Sequence, residues 1–146
     1  MLLPVTLTIA AAVAVIALWL ATRISRLRMS DKVLIGDGDR PVMKARMRAH
    51  ANLVENAPFV LILMALVEMA GGSPTGLWVI GLLFVAARIA HPLGMDRMSS
   101  NPLRAGGIVV TWLLIAALAA WALTLAYTGT EARHGPVIGV AIPPAA

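Results

Sequence analysis

Apolar residues run almost unbroken from position 2 to 21, interrupted only by Thr6 and Thr8. A run of about 20 such residues crosses a hydrocarbon core of about 30 Å as a helix, so a first membrane span is read at residues 2–24. No basic residue precedes it, and Arg23, Arg26 and Arg28 follow it, the pattern of an uncleaved helix held by basic residues. The polar stretch 29–41, centred on Gly36-Asp37-Gly38-Asp39, reads as a connection. It lacks the glutamate that a calcium loop would place at the bidentate position.

The second apolar run, 57–67, is too short to cross a bilayer alone. The span therefore recruits residues upstream, about 46–70, and draws Arg48, Asn52 and Glu55 into the membrane or its interface. Pro58 falls inside it and frees a backbone carbonyl. Gly71-Gly72-Ser73-Pro74 is an uncharged turn. The third run, 77–87, has the same defect at its other end and must continue through Arg88 and His91, giving a span at 76–93. After a connection from Gly94 to Pro102, the fourth span covers 103–127 with Arg104 in its first turn. Residues 128–146 show no helical pattern and are read as a tail. The chain is thus expected to be all-α: one domain, 1–127, an integral membrane four-helix bundle of up-down topology.

Composition agrees with lipid as the solvent. The apolar share is 60%, the charged share 13% and the mean hydropathy +0.85, against roughly 45–50% and 25% in soluble domains. The absence of cysteine excludes a disulfide scaffold, Cys-ligated zinc, Fe–S clusters and a thiol nucleophile of the chain's own. The net charge of +5 reports orientation and attraction to membrane lipid before it reports nucleic acid, and no nucleic-acid partner is expected. Of the 12 basic residues, Arg23, Arg26, Arg28, Lys32, Arg40, Lys44, Arg46 and Arg48 lie between the first two apolar runs, whereas the 71–76 turn has none. The first and third connections are therefore read as cytoplasmic and both termini as non-cytoplasmic.

In that topology the end of span one, the start of span two, the end of span three and the start of span four share a leaflet. Those places hold Arg23, Arg26 and Arg28; Arg48, Asn52 and Glu55; Arg88 and His91; and Arg104. Lys44, Arg48, Asn52 and Glu55 fall at i, i+4, i+8 and i+11, one helix stripe, and Arg88 and His91 share a face at i and i+3. Ionisable groups inside a membrane mark functional sites by default. Glu55 offsets one arginine, and the remaining cations ask for an anionic ligand, which a planar guanidinium binds bidentately. Glu55 and Asn52 would complement an ammonium or amide, so the ligand is small and zwitterionic with excess carboxylate. The competing reading makes these charges mutual interhelical glue. His50 lies off the stripe and reads as packing, His91 stays undecided, and no His-x-x-His or Glu-x-x-His pair supports a metal. Gly106-Gly107 suits a close helix approach.

The run Arg48-Ala49-His50-Ala51-Asn52-Leu53-Val54-Glu55-Asn56-Ala57-Pro58 resembles the second-helix signature R-x-H-x-N-x-x-E-x-x-P of the MAPEG family, membrane-associated proteins of eicosanoid and glutathione metabolism. Gly36-Asp37-Gly38, Arg88-Ile89-Ala90-His91 and Arg104 extend the resemblance, in order, over roughly residues 5–127. It implies a homotrimer in a bacterial inner membrane, binding glutathione as co-substrate between neighbouring subunits near the cytoplasmic leaflet. Arg48, Asn52 and Glu55 would hold the tripeptide with Arg88 and His91, Arg26 or Arg28 would reach in from the first helix, and Arg104 would sit by the sulfur as the catalytic cation. The implied activity is a transferase or peroxidase acting on a lipophilic electrophile or hydroperoxide. Asn56, Met95 and Ala105 stand where members often carry hydroxyl side chains, and the single tyrosine, Tyr127, lies at the far side. A glutathione-binding protein without catalysis and a structural or transport bundle are the alternatives.

Overall fold

Each helix opens on a proline. In the computed structural model, which describes residues 2–97 and 99–133, the elements are α1 (Pro4–Asp31), α2 (Pro41–Met69), α3 (Pro74–Asp96) and α4 (Pro102–Arg133). Proline suits the first helical position because its missing N–H would have had no intrahelical partner there, and its fixed φ is already helical. No strand occurs among the described residues. All four helices are long and apolar enough to cross a membrane. His134 and the rest of the tail, 134–146, lie outside the described residues.

The helices outrun the spans read from hydropathy. Helix α1 continues to Asp31 instead of ending near 24, α2 begins at Pro41 instead of 46, and α4 runs past Tyr127 to Arg133. With 28 residues, α1 is about 42 Å long at 1.5 Å per residue, well beyond a core of about 30 Å. The apolar run measures the bilayer, whereas the backbone hydrogen bonds carry the helix on into the interface. Helix α2 ends in a Schellman turn, with Gly72 N–H on the Val67 carbonyl at 2.9 Å and Gly71 N–H on that of Glu68 at 3.2 Å. Gly71 adopts φ +81°, which the left-handed cap position requires of its residue.

The core is one seam. Val5, Ile9, Val13, Ile16 and Leu20 of α1 meet Leu53, Ala57, Val60, Met64 and Val67 of α2, with Leu77 and Phe84 of α3 and Leu114 and Leu118 of α4. Their spacing of three and four residues puts each set on one helix face. Helices α2 and α3 touch every other helix, while α1 and α4 do not touch among the described residues. Large apolar side chains outside the seam, such as Val15, Phe59, Ile62, Leu82, Trp112 and Leu113, are exposed, as lipid-facing residues are.

Charged contacts tie both ends of the bundle. At one end the Glu68 carboxylate of α2 accepts the first-turn amides of α1, Val5 N–H at 3.0 Å and Thr6 N–H at 2.8 Å. At the other, Asp96 at the end of α3 pairs with Arg23 of α1 and, at 4.0 Å, with Arg46 of α2. Arg46 also donates to the Arg23 carbonyl at 3.2 Å. Arg23 and Arg46 thus converge on the end of α3.

Candidate functional site

Arg88 is the largest fully buried side chain, 2% exposed. Its α3 position faces α2 and α4, and its guanidinium spends its donors on neutral acceptors. It donates to Asn52 Oδ1 at 2.7 Å, to the Gly107 carbonyl at 2.6 Å and to Thr111 Oγ1. Thr111 donates in turn to the Gly107 carbonyl at 2.9 Å. The ring of Phe84 lies 5.6 Å from the guanidinium carbon, within cation–π range. Only Nε lacks a partner. One cation thereby bridges three helices at the level of the proposed site.

Such a close α3–α4 crossing depends on glycine at one of the paired positions only. A Cβ on Gly107 would stand 2.8 Å from His91 Cβ and 2.9 Å from the Ala87 carbonyl, whereas one on Gly106 would meet nothing within 4 Å. The expectation that both glycines serve the approach is corrected: Gly106 borders an open groove between α3 and α4, beside Ala86 and Ala90, with room for a side chain. His91, also buried, bonds the Arg104 carbonyl through Nδ1 at 3.0 Å. A carbonyl oxygen only accepts, so Nδ1 carries the proton.

Next to this interior layer, a concave pocket of about 240 Å³ opens between α2 and the start of α4, lined by Pro41, Lys44, Ala45, Arg48, Met95 and Arg104. Three cations and no acid line it. Lys44, Arg48 and Arg104 are exposed, and none has a hydrogen bond or ion pair from its side chain among the described residues. Arg104 is the third residue of α4, where the helix dipole adds to the positive potential.

The residues singled out from sequence therefore divide. Asn52, Arg88 and His91 come together inside the protomer; Arg48 and Arg104 share the outer pocket with Lys44. Glu55 is exposed on α2, with no ion pair among the described residues, so the expected offset of one arginine by Glu55 does not occur within the chain. Arg26 is exposed on α1. Arg28 latches the connection that follows it, donating to the Leu34 carbonyl at 2.7 Å and to Met47 Sδ at 3.7 Å. Of the Arg23, Arg26 and Arg28 group, Arg23 is paired with Asp96. Thr111, the Gly107 carbonyl, Asp96 and Asn101 were not anticipated. The i, i+4 placement of Gly107 and Thr111 on the helix facing Arg88 was the available signal for the first two.

Comparison with known proteins gives the same assignment. The model of the MAPEG family matches residues 6–124. The inner membrane protein YecN of Escherichia coli K12 is 33% identical over 96 residues, covering 64% of this chain and 72% of its own length, and YecN of Escherichia coli O6:H1 matches equally. With four membrane-spanning helices this is a multi-pass integral protein of the inner membrane. The chain belongs to the MAPEG family.

Proposed function

We propose that this chain is a membrane-bound glutathione-dependent transferase or peroxidase, working as a homotrimer of up-down four-helix protomers with both termini on the non-cytoplasmic side. The observation that carries the reading is the acid-free pocket of Lys44, Arg48 and Arg104, whose guanidinium and ammonium groups are uncommitted. Glutathione brings two carboxylates, one ammonium and a thiol. Arg48 and Lys44 bind carboxylate, Glu55 and Asn52 take the ammonium and amide groups across the subunit boundary, and Arg26 and Arg28 close the site from α1. Arg88 and His91 support it from within by fixing Asn52 and the Arg104 peptide.

Arg104 supplies a cation beside the thiol. A thiol of reference pKa about 8.5 is mostly protonated at neutral pH, and a neighbouring cation together with a helix N-terminus raises the thiolate fraction. In the transferase reaction the thiolate forms a C–S bond to an electrophilic carbon, and the leaving group departs with its electron pair. In the peroxidase reaction the thiolate sulfur attacks the terminal peroxide oxygen, an S–O bond forms as the O–O bond breaks, and the alkoxide takes a proton and leaves as alcohol; the thiol of a second glutathione then displaces the sulfenic oxygen as water and forms the disulfide. The apolar substrate arrives from the bilayer along the lipid-facing side chains.

Calorimetry of the purified protein with glutathione, together with turnover of an aryl halide and of a lipid hydroperoxide, tests this. Binding that Arg48→Gln weakens at least about tenfold, about 1.4 kcal/mol, supports the site. Binding without turnover selects the non-catalytic reading; no binding at all selects the structural bundle, which the Arg23–Asp96 pair and the internally satisfied Arg88 favour. A monomer mass in detergent removes the intersubunit site.

A further inference from the structure

The guanidinium of Arg104 is free, but its peptide is not. Asn101 Oδ1 accepts the Arg104 N–H at 3.1 Å, and the His91 ring donates to the Arg104 carbonyl at 3.0 Å. Between these two, the end of α3 presses on the same residue. A Cβ added to Gly94 would lie 2.4 Å from Arg104 N, 2.8 Å from its Cα and 2.8 Å from Asn101 Oδ1, so only glycine admits the contact. Asn101 is itself anchored, donating from Nδ2 to the Gly94 carbonyl at 2.8 Å and to that of Ser99 at 2.9 Å. Proline at 102 opens α4 directly after it.

Asparagine before a helix commonly accepts the N–H three residues on. Here the residue three positions on is also the one whose side chain enters the cationic pocket. An exposed arginine on an ordinary helix start would have a freely frayed first turn. Arg104 instead has both of its backbone polar groups held by side chains, and its Cα is held against α3. A site works when its supporting shell fixes the reacting group to within about 0.5 Å.

We infer that Asn101, with Gly94 and His91, is a positioning residue that fixes where the Arg104 guanidinium stands in the pocket. The inference rests on the reading above that Arg104 is the cation beside the glutathione sulfur. Asn101 touches no ligand itself, so its removal acts on the thiol through Arg104 alone.

The test combines two readouts on the full chain in detergent or nanodiscs. Amide hydrogen exchange at Arg104, independent of any ligand, is expected to speed up about fivefold in Asn101→Ala, the loss of one helix cap, and to return toward the parent rate in Asn101→Ser, which can still cap. The ultraviolet thiolate band of bound glutathione, titrated against pH, is expected to move to higher pH in Asn101→Ala, while the dissociation constant measured at a pH below that transition, where the bound thiol is protonated, stays near the parent value. Unchanged exchange at Arg104 in Asn101→Ala overturns the inference, with or without glutathione bound. So does a thiolate loss that tracks a parallel loss of affinity and melting temperature, since that is merely structural damage. If the parent protein binds no glutathione yet Asn101→Ala still frees the Arg104 amide, the positioning stands and the glutathione reading falls.

Discussion

Glu68 offers the sharpest test of how the bundle is held. Its carboxylate receives two amides from the first turn of α1, at 3.0 and 2.8 Å, across 63 and 62 residues of chain. Helix α1 has no cap of its own, because Leu3 provides no side-chain hydrogen bond and no acid stands in the first turn. The perturbation is Glu68→Ala. Hydrogen bonds to a charged group contribute about 1.5–3 kcal/mol each, and two of them would give about 3–6 kcal/mol if fully shielded. Glu68 is only half-buried, so water replaces part of the interaction, and a net loss of about 2 kcal/mol is expected, near the upper end for a lost helix cap. Glu68→Gln keeps one acceptor oxygen and loses the charge, and should cost about half as much. The assay is reversible unfolding in mixed micelles, with amide exchange at Val5 and Thr6 as the local readout. Glu55→Gln, at an exposed carboxylate without a partner among the described residues, is the matched control and should not lower stability in a monomeric preparation. Equal stability of Glu68→Ala and the parent, or exchange at Val5 and Thr6 no faster than before, would refute the reasoning.

Arg88→Met removes the cation and strands Asn52 Oδ1 and part of the demand at the Gly107 carbonyl; a loss of about 3 kcal/mol is expected in micelle unfolding, since breaking one partner of a buried polar cluster leaves the rest unpaired. Arg88→Lys should recover only part of that, because a compact ammonium lacks the planar, spread fork with which the guanidinium spans acceptors on α2 and α4. Gly107→Ala drives a methyl against His91 and the Ala87 carbonyl and should cost about 1–3 kcal/mol, whereas Gly106→Ala, with nothing within 4 Å, should be neutral or stabilising by about 0.5–1 kcal/mol from helix propensity. The reverse order in a thermal melt would mean that the α3–α4 crossing is not the one described.

The number and order of helices were legible because a lipid solvent demands long apolar runs, and four are present. Their ends were not, because hydropathy stops at the bilayer and the backbone does not: α1 adds a further turn and more beyond the apolar run, ending only where Lys32 takes a left-handed conformation. The starts carried a signal that hydropathy ignores, the prolines at 4, 41, 74 and 102. At the site, charge counting found Arg48, Arg88 and Arg104 but misjudged what each needs. It scored Arg88 as missing an anion, when an arginine can be satisfied by an amide oxygen, a backbone carbonyl and a hydroxyl, none of which a charge count registers. The pairing of Arg23 was not legible for a different reason. Its acid, Asp96, is 73 residues away, and only the packing of α3 against α1 brings the two together.

Sorting the cations by partner changes what the surplus of positive charge means. Arg23 and Arg46 share Asp96, Arg40 pairs with Asp31 at 2.8 Å, Arg28 serves a carbonyl and Arg88 serves three neutral acceptors. Arg26, Lys32, Lys44, Arg48, Arg97 and Arg104 remain among the described side chains, and of these Lys44, Arg48 and Arg104 line one pocket. Arg48 and Glu55 are also exposed on a helix that crosses the membrane, and a bare charge near the middle of a span costs about 2.5–3.5 kcal/mol. In an isolated protomer Glu55, about ten residues into the span, meets more of that cost than Arg48 at its start. In the proposed oligomer a neighbouring protomer that covers this face of α2 removes it, provided something anionic fills the pocket and Glu55 finds a cation or ammonium. The proposed subunit boundary and the proposed ligand are then coupled: if both hold, glutathione tightens the oligomer, and dilution into monomers releases glutathione.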